Sequence, residues 1–77
     1  MKNVEIYSTP TCHFCHMAKD FFTANNVAFT DYDVSKDEVK RGEVIERSGQ
    51  MGVPVIFIDG EMVIGFDEGK IKELLGM

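Results

Sequence analysis

Two cysteines separated by two residues are the side chains best suited to chemistry in this sequence. Cys12 and Cys15 are the only cysteines among its 77 residues. They lie where a predicted strand gives way to a predicted helix. The free N–H groups and the macrodipole at a helix start stabilise a thiolate and lower its pKa from about 8.5. This placement makes Cys12 the candidate nucleophile and puts Cys15 one helical turn away, where it could resolve a mixed disulfide.

The surroundings of the pair favour a thiolate. Residues 8–19 include no Asp or Glu, although the chain carries a net charge of −5. His13, His16 and Lys19 can each add positive character to this stretch. For His13, which follows Cys12 directly, pKa tuning and a solvated position in the first turn are both consistent with the sequence.

Two metal-dependent alternatives use the same residues. The run from Cys12 to His16 also matches the Cys-x-x-Cys-His signature of c-type haem attachment, with Met51 or Met62 as a possible distal ligand. Strand-rich character and the lack of an export signal disfavour this alternative. A structural zinc site needs four ligands, and the chain has no second Cys or His pair. We therefore expect no metal.

Length and composition define the class of protein. A chain of 77 residues with 44% hydrophobic and 27% charged residues indicates one folded domain over residues 1–77. The acidic balance disfavours nucleic-acid and membrane partners, which select clustered Lys and Arg. No targeting or membrane-spanning segment is visible, so we expect the protein in the cytoplasm. We also expect it to be a monomer. Cysteines in that compartment indicate redox or metal chemistry more than structural disulfides.

The first half of the chain predicts a strand, a helix and a second strand. Residues 3–7 alternate and precede a turn-forming cluster, which indicates a strand. Apolar residues then recur with helical spacing at Phe14, Ala18, Phe21 and Phe22. Asn25 and Asn26 would end this helix, and residues 27–34 are rich in strand-forming types.

The second half predicts a helix, a hairpin and a last helix. Ser35 and Glu38 have the spacing of a capping box, so a helix should begin there and continue towards residue 48. Residues 53–58 form an apolar run typical of a buried strand, and Asp59-Gly60 predicts the tight turn to a returning strand at 61–64. Asp67 would cap a final helix. The buried face of that helix would be Ile71, Leu74 and Leu75.

This order of elements, βαβαββα, predicts an α/β fold with a four-stranded mixed sheet and three flanking helices. Pro54 stands at the start of the central strand, where it removes a hydrogen-bond donor. A cis Val53-Pro54 bond would direct the Val53 backbone towards a peptide-like substrate beside Cys12. The alternative is a trans proline that simply opens the strand, which base rate alone favours.

Three segments in this order resemble the glutaredoxins. They are STPTCHFC (8–15), GVPVIFIDG (52–60) and GFD (65–67). The chain is most similar to short bacterial glutaredoxin-like proteins, neighbours of the ribonucleotide-reductase redoxins. The resemblance covers nearly the whole chain. It implies a thioredoxin-like fold, a cis Pro54 and a catalytic dithiol at Cys12 and Cys15, which would make the protein a thiol-disulfide oxidoreductase.

The resemblance also implies a groove for glutathione as co-substrate. The matching positions are Thr11, Phe14, Gln50, Val53, Pro54, Phe66 and Asp67. Val53 would pair with the cysteinyl backbone of glutathione, and the helix start at Phe66 and Asp67 would receive its γ-glutamyl end. Clients would be proteins that carry disulfides or glutathionylated cysteines.

The sequence departs from the family at the positions that hold the glycine carboxylate of glutathione. Thr9 stands where glutaredoxins usually have Lys, and Met51 stands where a basic residue is frequent. Loss of both charges should weaken glutathione binding by about 1 to 3 kcal/mol. His13 replaces the usual proline. A thioredoxin-reductase-like flavoprotein is therefore an alternative reductant, and a metal- or haem-binding module remains the alternative of another class.

Overall fold

Strands and helices alternate along residues 2–50 and 52–77, which the computed structural model describes. The elements are β1 (Val4–Ser8), α1 (His13–Ala24), β2 (Thr30–Asp33), α2 (Glu38–Ser48), β3 (Val55–Ile58), β4 (Glu61–Ile64) and α3 (Glu68–Leu75). The predicted βαβαββα order is confirmed.

The strands form one mixed sheet in the order β2-β1-β3-β4. β1 pairs parallel to β2 and antiparallel to β3, and β3 pairs antiparallel to β4. The predicted four-stranded mixed sheet is therefore confirmed. Because β1 and β2 run parallel, their carboxyl ends meet at one edge of the sheet. The loop that carries Cys12 leaves β1 at this edge.

Helices α1 and α3 cover one face of the sheet with an apolar core. Every residue of β3 is buried, as the apolar run predicted. The buried members of this core are Val4, Ile6, Ala18, Phe22, Ile56, Ile58, Val63 and Ile71. Leu74 and Leu75 of α3 pack partly buried against it. The predicted apolar face of the last helix thus contacts the sheet.

Helix α2 covers the other face with fewer apolar contacts. Val44 is its buried residue, and it joins a small cluster with Tyr7 and Phe57. The fully buried Tyr7 donates its hydroxyl to Glu43 Oε1 at 2.6 Å, and Arg47 Nη1 donates to the Tyr7 oxygen at 3.1 Å. Polar contacts to a buried phenol thus supplement the thin apolar pattern of α2.

Tyr7 should titrate well above an ordinary tyrosine. Burial, with a smaller contribution from the hydrogen bond to Glu43, raises its pKa from 10.0 to about 12. The chain has two Tyr and no Trp, so in a Tyr32→Phe variant Tyr7 is the only phenol. Tyrosinate absorbance of the folded variant should then rise with a midpoint near pH 12. A midpoint near pH 10 would show that the Tyr7 hydroxyl is not held as described.

The same shift predicts how stability depends on pH. The folded-state pKa of Tyr7 lies above its unfolded value, so the unfolded chain loses this proton first as the pH rises. The contribution of Tyr7 to stability is complete below pH 10 and is lost between about pH 10 and pH 12. Denaturant titrations of the wild type and Tyr7→Phe should therefore show a smaller stability difference at pH 11 than at pH 8.

The start of α2 corrects one prediction. Asp37 caps the helix and accepts from Lys40 N at 3.0 Å, so the predicted capping box of Ser35 and Glu38 does not form. Ser35 instead donates its backbone N–H and its hydroxyl to Asp33 Oδ1, at 2.9 and 2.5 Å. The hydroxyl hydrogen bond is the main cause of the lowered pKa of Asp33. Ser35 is thus committed to the turn after β2, and the helix begins two residues later than predicted.

Other element ends differ for local reasons. β2 is shorter than the predicted 27–34, because Val27 N donates to Phe22 O at 2.8 Å and so completes the end of α1. Regular pairing of β3 begins at Val55, after Pro54, which has no donor. The Asp59-Gly60 turn has φ of 49° and 86°, as the predicted tight turn requires.

Candidate active site

Cys12 and Cys15 meet at the start of α1 as a disulfide with a Cα–Cα separation of 5.2 Å. Cys12 is the N-cap residue, and Cys15 N donates to Cys12 Sγ at 3.1 Å. Cys15 is fully buried, whereas Cys12 is partly exposed. The two cysteines therefore differ: Cys12 is partly open to solvent and its sulfur receives the helix N–H, whereas Cys15 is buried.

The loop before β3 lies against this sulfur. The Val53-Pro54 peptide bond is cis, as the resemblance implied, and Val53 O lies 3.7 Å from Cys12 Sγ. Pro54 is buried, and its carbonyl accepts from Gly65 N at 2.9 Å. This last bond joins the segment before α3 to the loop beside Cys12.

Phe66 and Asp67 follow Gly65 directly. The ring of Phe66 contacts Phe21 edge-on at 5.9 Å, and its side chain packs against the core. Asp67 caps α3 as predicted, because Asp67 Oδ1 accepts from Lys70 N at 3.2 Å. The second carboxylate oxygen of Asp67 is not used by this cap.

The remaining predicted groove residues are exposed. For Phe14 this corrects the expectation that its side chain lies on the buried face of α1. Thr11 and Gln50 are both exposed. Phe14, expected on the buried face of α1, is 57% exposed, and its ring contacts His13 at 5.7 Å. Its spacing suits the apolar face, but it lies in the first turn of α1 and belongs to neither apolar cluster. Of the predicted site residues, the contacts bring together Cys12, Cys15, Val53 and Pro54.

Electrostatics near the site differ from the expectation at one position. Lys19 was expected to add positive charge near the thiolate, but Lys19 Nζ lies 3.0 Å from Asp31 Oδ2. The other oxygen of Asp31 accepts from the hydroxyl of the buried Ser8 at 2.5 Å. Residues 8–19 contain no acidic residue, but the carboxylate of Asp31 in β2 lies beside them. This carboxylate largely offsets the charge of Lys19.

One contact at the site had no signal in the sequence. His16 Nε2 lies 2.7 Å from Pro10 O, in the loop that precedes Cys12. The direction of a loop carbonyl cannot be inferred from residue types, so this contact could be found only in the structure.

The residues named in the metal alternatives occupy separate environments. Met62 packs against the cluster of Tyr7 and Phe57, and Met51 lies outside the described residues. Within residues 2–50 and 52–77, no three His, Cys, Asp or Glu side chains are grouped so that they could hold a metal ion. In the same part of the chain, none of the helices combines the length and apolar character needed to cross a membrane.

Solved structures place the fold in the thioredoxin-like class. The chain superposes on a mutant of the thioredoxin-like protein BC3987 with a TM-score of 0.91 and 38% identity, over 99% of this chain and 97% of that one. It superposes on a glutaredoxin of Archaeoglobus fulgidus with a TM-score of 0.86 and 29% identity, over 97% and 87% of the two chains. The architecture is therefore shared over nearly the full length of both proteins.

Sequence comparison defines the family. The sequence model of the glutaredoxin family matches residues 4–63, and the chain belongs to this family. It is 42% identical to an uncharacterised glutaredoxin-like 8.6 kDa protein of the rubredoxin operon of Clostridium pasteurianum, over 94% of this chain and 96% of that protein. It is 43% identical to Glutaredoxin 3 of Escherichia coli K12, over 88% and 82%. With its Cys12–Cys15 disulfide, the protein is a thiol-disulfide oxidoreductase.

Proposed function

We propose that Cys12 is the nucleophile and Cys15 the resolving cysteine in reduction of client proteins. The observation that carries this assignment is the asymmetry of the two sulfurs. Cys12 is partly exposed and its Sγ receives the N–H of Cys15 at 3.1 Å, whereas Cys15 is fully buried. A hydrogen bond from the helix start favours the thiolate of the accessible cysteine.

The reaction runs as two thiol-disulfide exchanges. The Cys12 thiolate attacks one sulfur of a client disulfide, forms a mixed disulfide and releases the other client sulfur as a thiolate, which takes up a proton. Deprotonated Cys15 then attacks Cys12 Sγ and releases the second client thiol. The client gains two electrons, and the protein ends with the Cys12–Cys15 disulfide present in the structure.

Glutathione is the reductant that we propose for this disulfide. Support comes from the family and from the Val53 carbonyl, which lies 3.7 Å from Cys12 Sγ, where the backbone of a bound peptide could pair. Phe66 and Asp67, joined to this loop through Gly65, would receive the γ-glutamyl end. Thr11, Phe14 and Gln50 would line the rest of the groove. A glutathionylated client would be reduced by the same nucleophile, with glutathione as the resolving thiol.

A flavoprotein reductase of the thioredoxin-reductase kind is the second candidate. The uncharged Thr9 and Met51 favour it, since neither can form an ion pair with the glycine carboxylate of glutathione. Thr9 lies in the turn that carries the nucleophile, because its carbonyl accepts from Cys12 N at 3.3 Å. A charge at position 9 would therefore lie close to a peptide bound at Cys12.

Thr9→Lys should strengthen the use of glutathione. One new charge-assisted contact should lower the KM for glutathione by about threefold to tenfold. The rate of NADPH consumption with glutathione and glutathione reductase would be compared with the rate with thioredoxin reductase, which should stay unchanged. Thr23→Lys, at the far exposed end of α1, makes the same charge change and should leave both rates unaltered. If the wild type and both variants consume NADPH with thioredoxin reductase but not with glutathione and glutathione reductase, the flavoprotein is the reductant.

We also propose the setting of this chemistry. The protein would act as a single-domain monomer over residues 1–77 in the cytoplasm, where the glutathione pool keeps a dithiol reduced. Its acidic net charge of −5 suits protein clients more than nucleic acids or anionic membranes.

A further inference from the structure

His16 reaches from α1 to the loop that carries the nucleophile. Its Nε2 lies 2.7 Å from Pro10 O, six residues earlier in the chain. A carbonyl oxygen only accepts, so the imidazole must carry its hydrogen on Nε2 and donate it. Both the neutral ring in this tautomer and the protonated ring can make this bond.

Two backbone hydrogen bonds also involve the first and last residues of the turn from Thr9 to Cys12. Cys12 N donates to Thr9 O at 3.3 Å, and His16 N donates to Cys12 O at 3.2 Å. These lengths lie at or just beyond the upper end of the usual range for N–H···O bonds, and Pro10 is exposed. The shorter hydrogen bond from the His16 ring to Pro10 O therefore adds a third attachment, in the middle of the turn. The two backbone hydrogen bonds are longer and weaker.

We propose that His16 is a positioning residue that fixes this turn to α1 and so holds the sulfur of Cys12 over the helix start. The position to be held is defined by two distances, 3.1 Å from Cys15 N and 3.7 Å from Val53 O. Without the His16 bond the turn gains freedom, and the hydrogen bond from Cys15 to the thiolate is made for less of the time. The inference rests on the proposed role of Cys12 as nucleophile.

The test compares His16→Ala with His16→Gln, whose amide nitrogen can take the place of Nε2 as a donor. Alkylation of Cys12 by iodoacetamide at pH 7 is followed on the reduced protein by peptide mapping. His16→Ala should react about threefold more slowly than the wild type, and His16→Gln should react within about twofold of it. Exchange of the Cys12 amide with water, measured by NMR, should be at least about threefold faster in His16→Ala and near the wild-type rate in His16→Gln.

His13→Ala is the matched control, because it removes the neighbouring imidazole, whose ring contacts Phe14. Its Cys12 amide should exchange at the wild-type rate. Equal changes in His16→Ala and His16→Gln, no change in His16→Ala, or faster amide exchange in His13→Ala would each overturn the proposal. After chemical reduction of the protein, neither measurement needs a client or a physiological reductant, so a failure of the proposed reduction of clients is detected separately, by activity assays.

Discussion

Cys12→Ser should lower the rate of disulfide reduction by about 10³-fold or more, because a serine hydroxyl is not ionised at neutral pH and is a poor nucleophile towards sulfur. The substitution removes the sulfur of the partly exposed Cys12, which accepts the N–H of Cys15. NADPH consumption coupled to reduction of insulin disulfides measures the loss. Deglutathionylation of a glutathionylated peptide should fall by a similar factor.

Cys15→Ser is the matched control, since it replaces the other sulfur of the same pair. It should lose reduction of protein disulfides, because the mixed disulfide on Cys12 then has no internal resolving thiol. It should keep deglutathionylation, in which glutathione resolves the intermediate. Full activity of Cys12→Ser in both assays would falsify the assignment of the nucleophile.

Phe22→Ala should remove a large share of the stability. Phe22 is fully buried in the core between α1 and the sheet, and its ring contacts Phe21 and Phe29. Truncation of a buried Phe costs about 3 to 5 kcal/mol. A domain of this size has a free energy of unfolding of about 4 to 12 kcal/mol. Urea denaturation followed by circular dichroism should therefore show a variant that is barely folded or has a much lower midpoint.

Phe14→Ala makes the same chemical change on the same helix and is the control for stability. Phe14 is 57% exposed, so its removal should change the free energy of unfolding by about 0.5 kcal/mol or less. Similar losses in the two variants would contradict the packing described for α1. The comparison also tests whether Phe14 lies on the surface beside the site.

The fold could be predicted because its signals are local and agree with one another. The apolar run of β3, the turn at Asp59-Gly60 and the cap at Asp67 each follow from residue types within a few positions. The start of α2 could not be predicted in the same way. Ser35 and Asp37 are both good caps, and the choice is decided by Asp33, which holds Ser35 in the preceding turn.

The same distinction between local and tertiary signals applies to the candidate site. The placement of Cys12 at the start of α1 is local and was predicted from spacing. The contact of Lys19 with Asp31 links α1 to β2 and depends on strand order, which the charges of residues 8–19 alone do not contain. The attachment of Gly65 to Pro54 and the ring of His16 on Pro10 also depend on tertiary geometry. Spacing therefore predicted the position of Cys12, but not the contacts that surround it.

The most direct test of the central assignment is to trap the first covalent intermediate. Reduced Cys15→Ser and Cys12→Ser proteins would each be mixed with a small aromatic disulfide that releases a coloured thiolate, and the adducts identified by mass spectrometry. We expect rapid release of one equivalent of thiolate from Cys15→Ser with a single adduct on Cys12, and little reaction of the buried Cys15 in Cys12→Ser. Rapid modification of Cys15 together with an unreactive Cys12 would contradict the account.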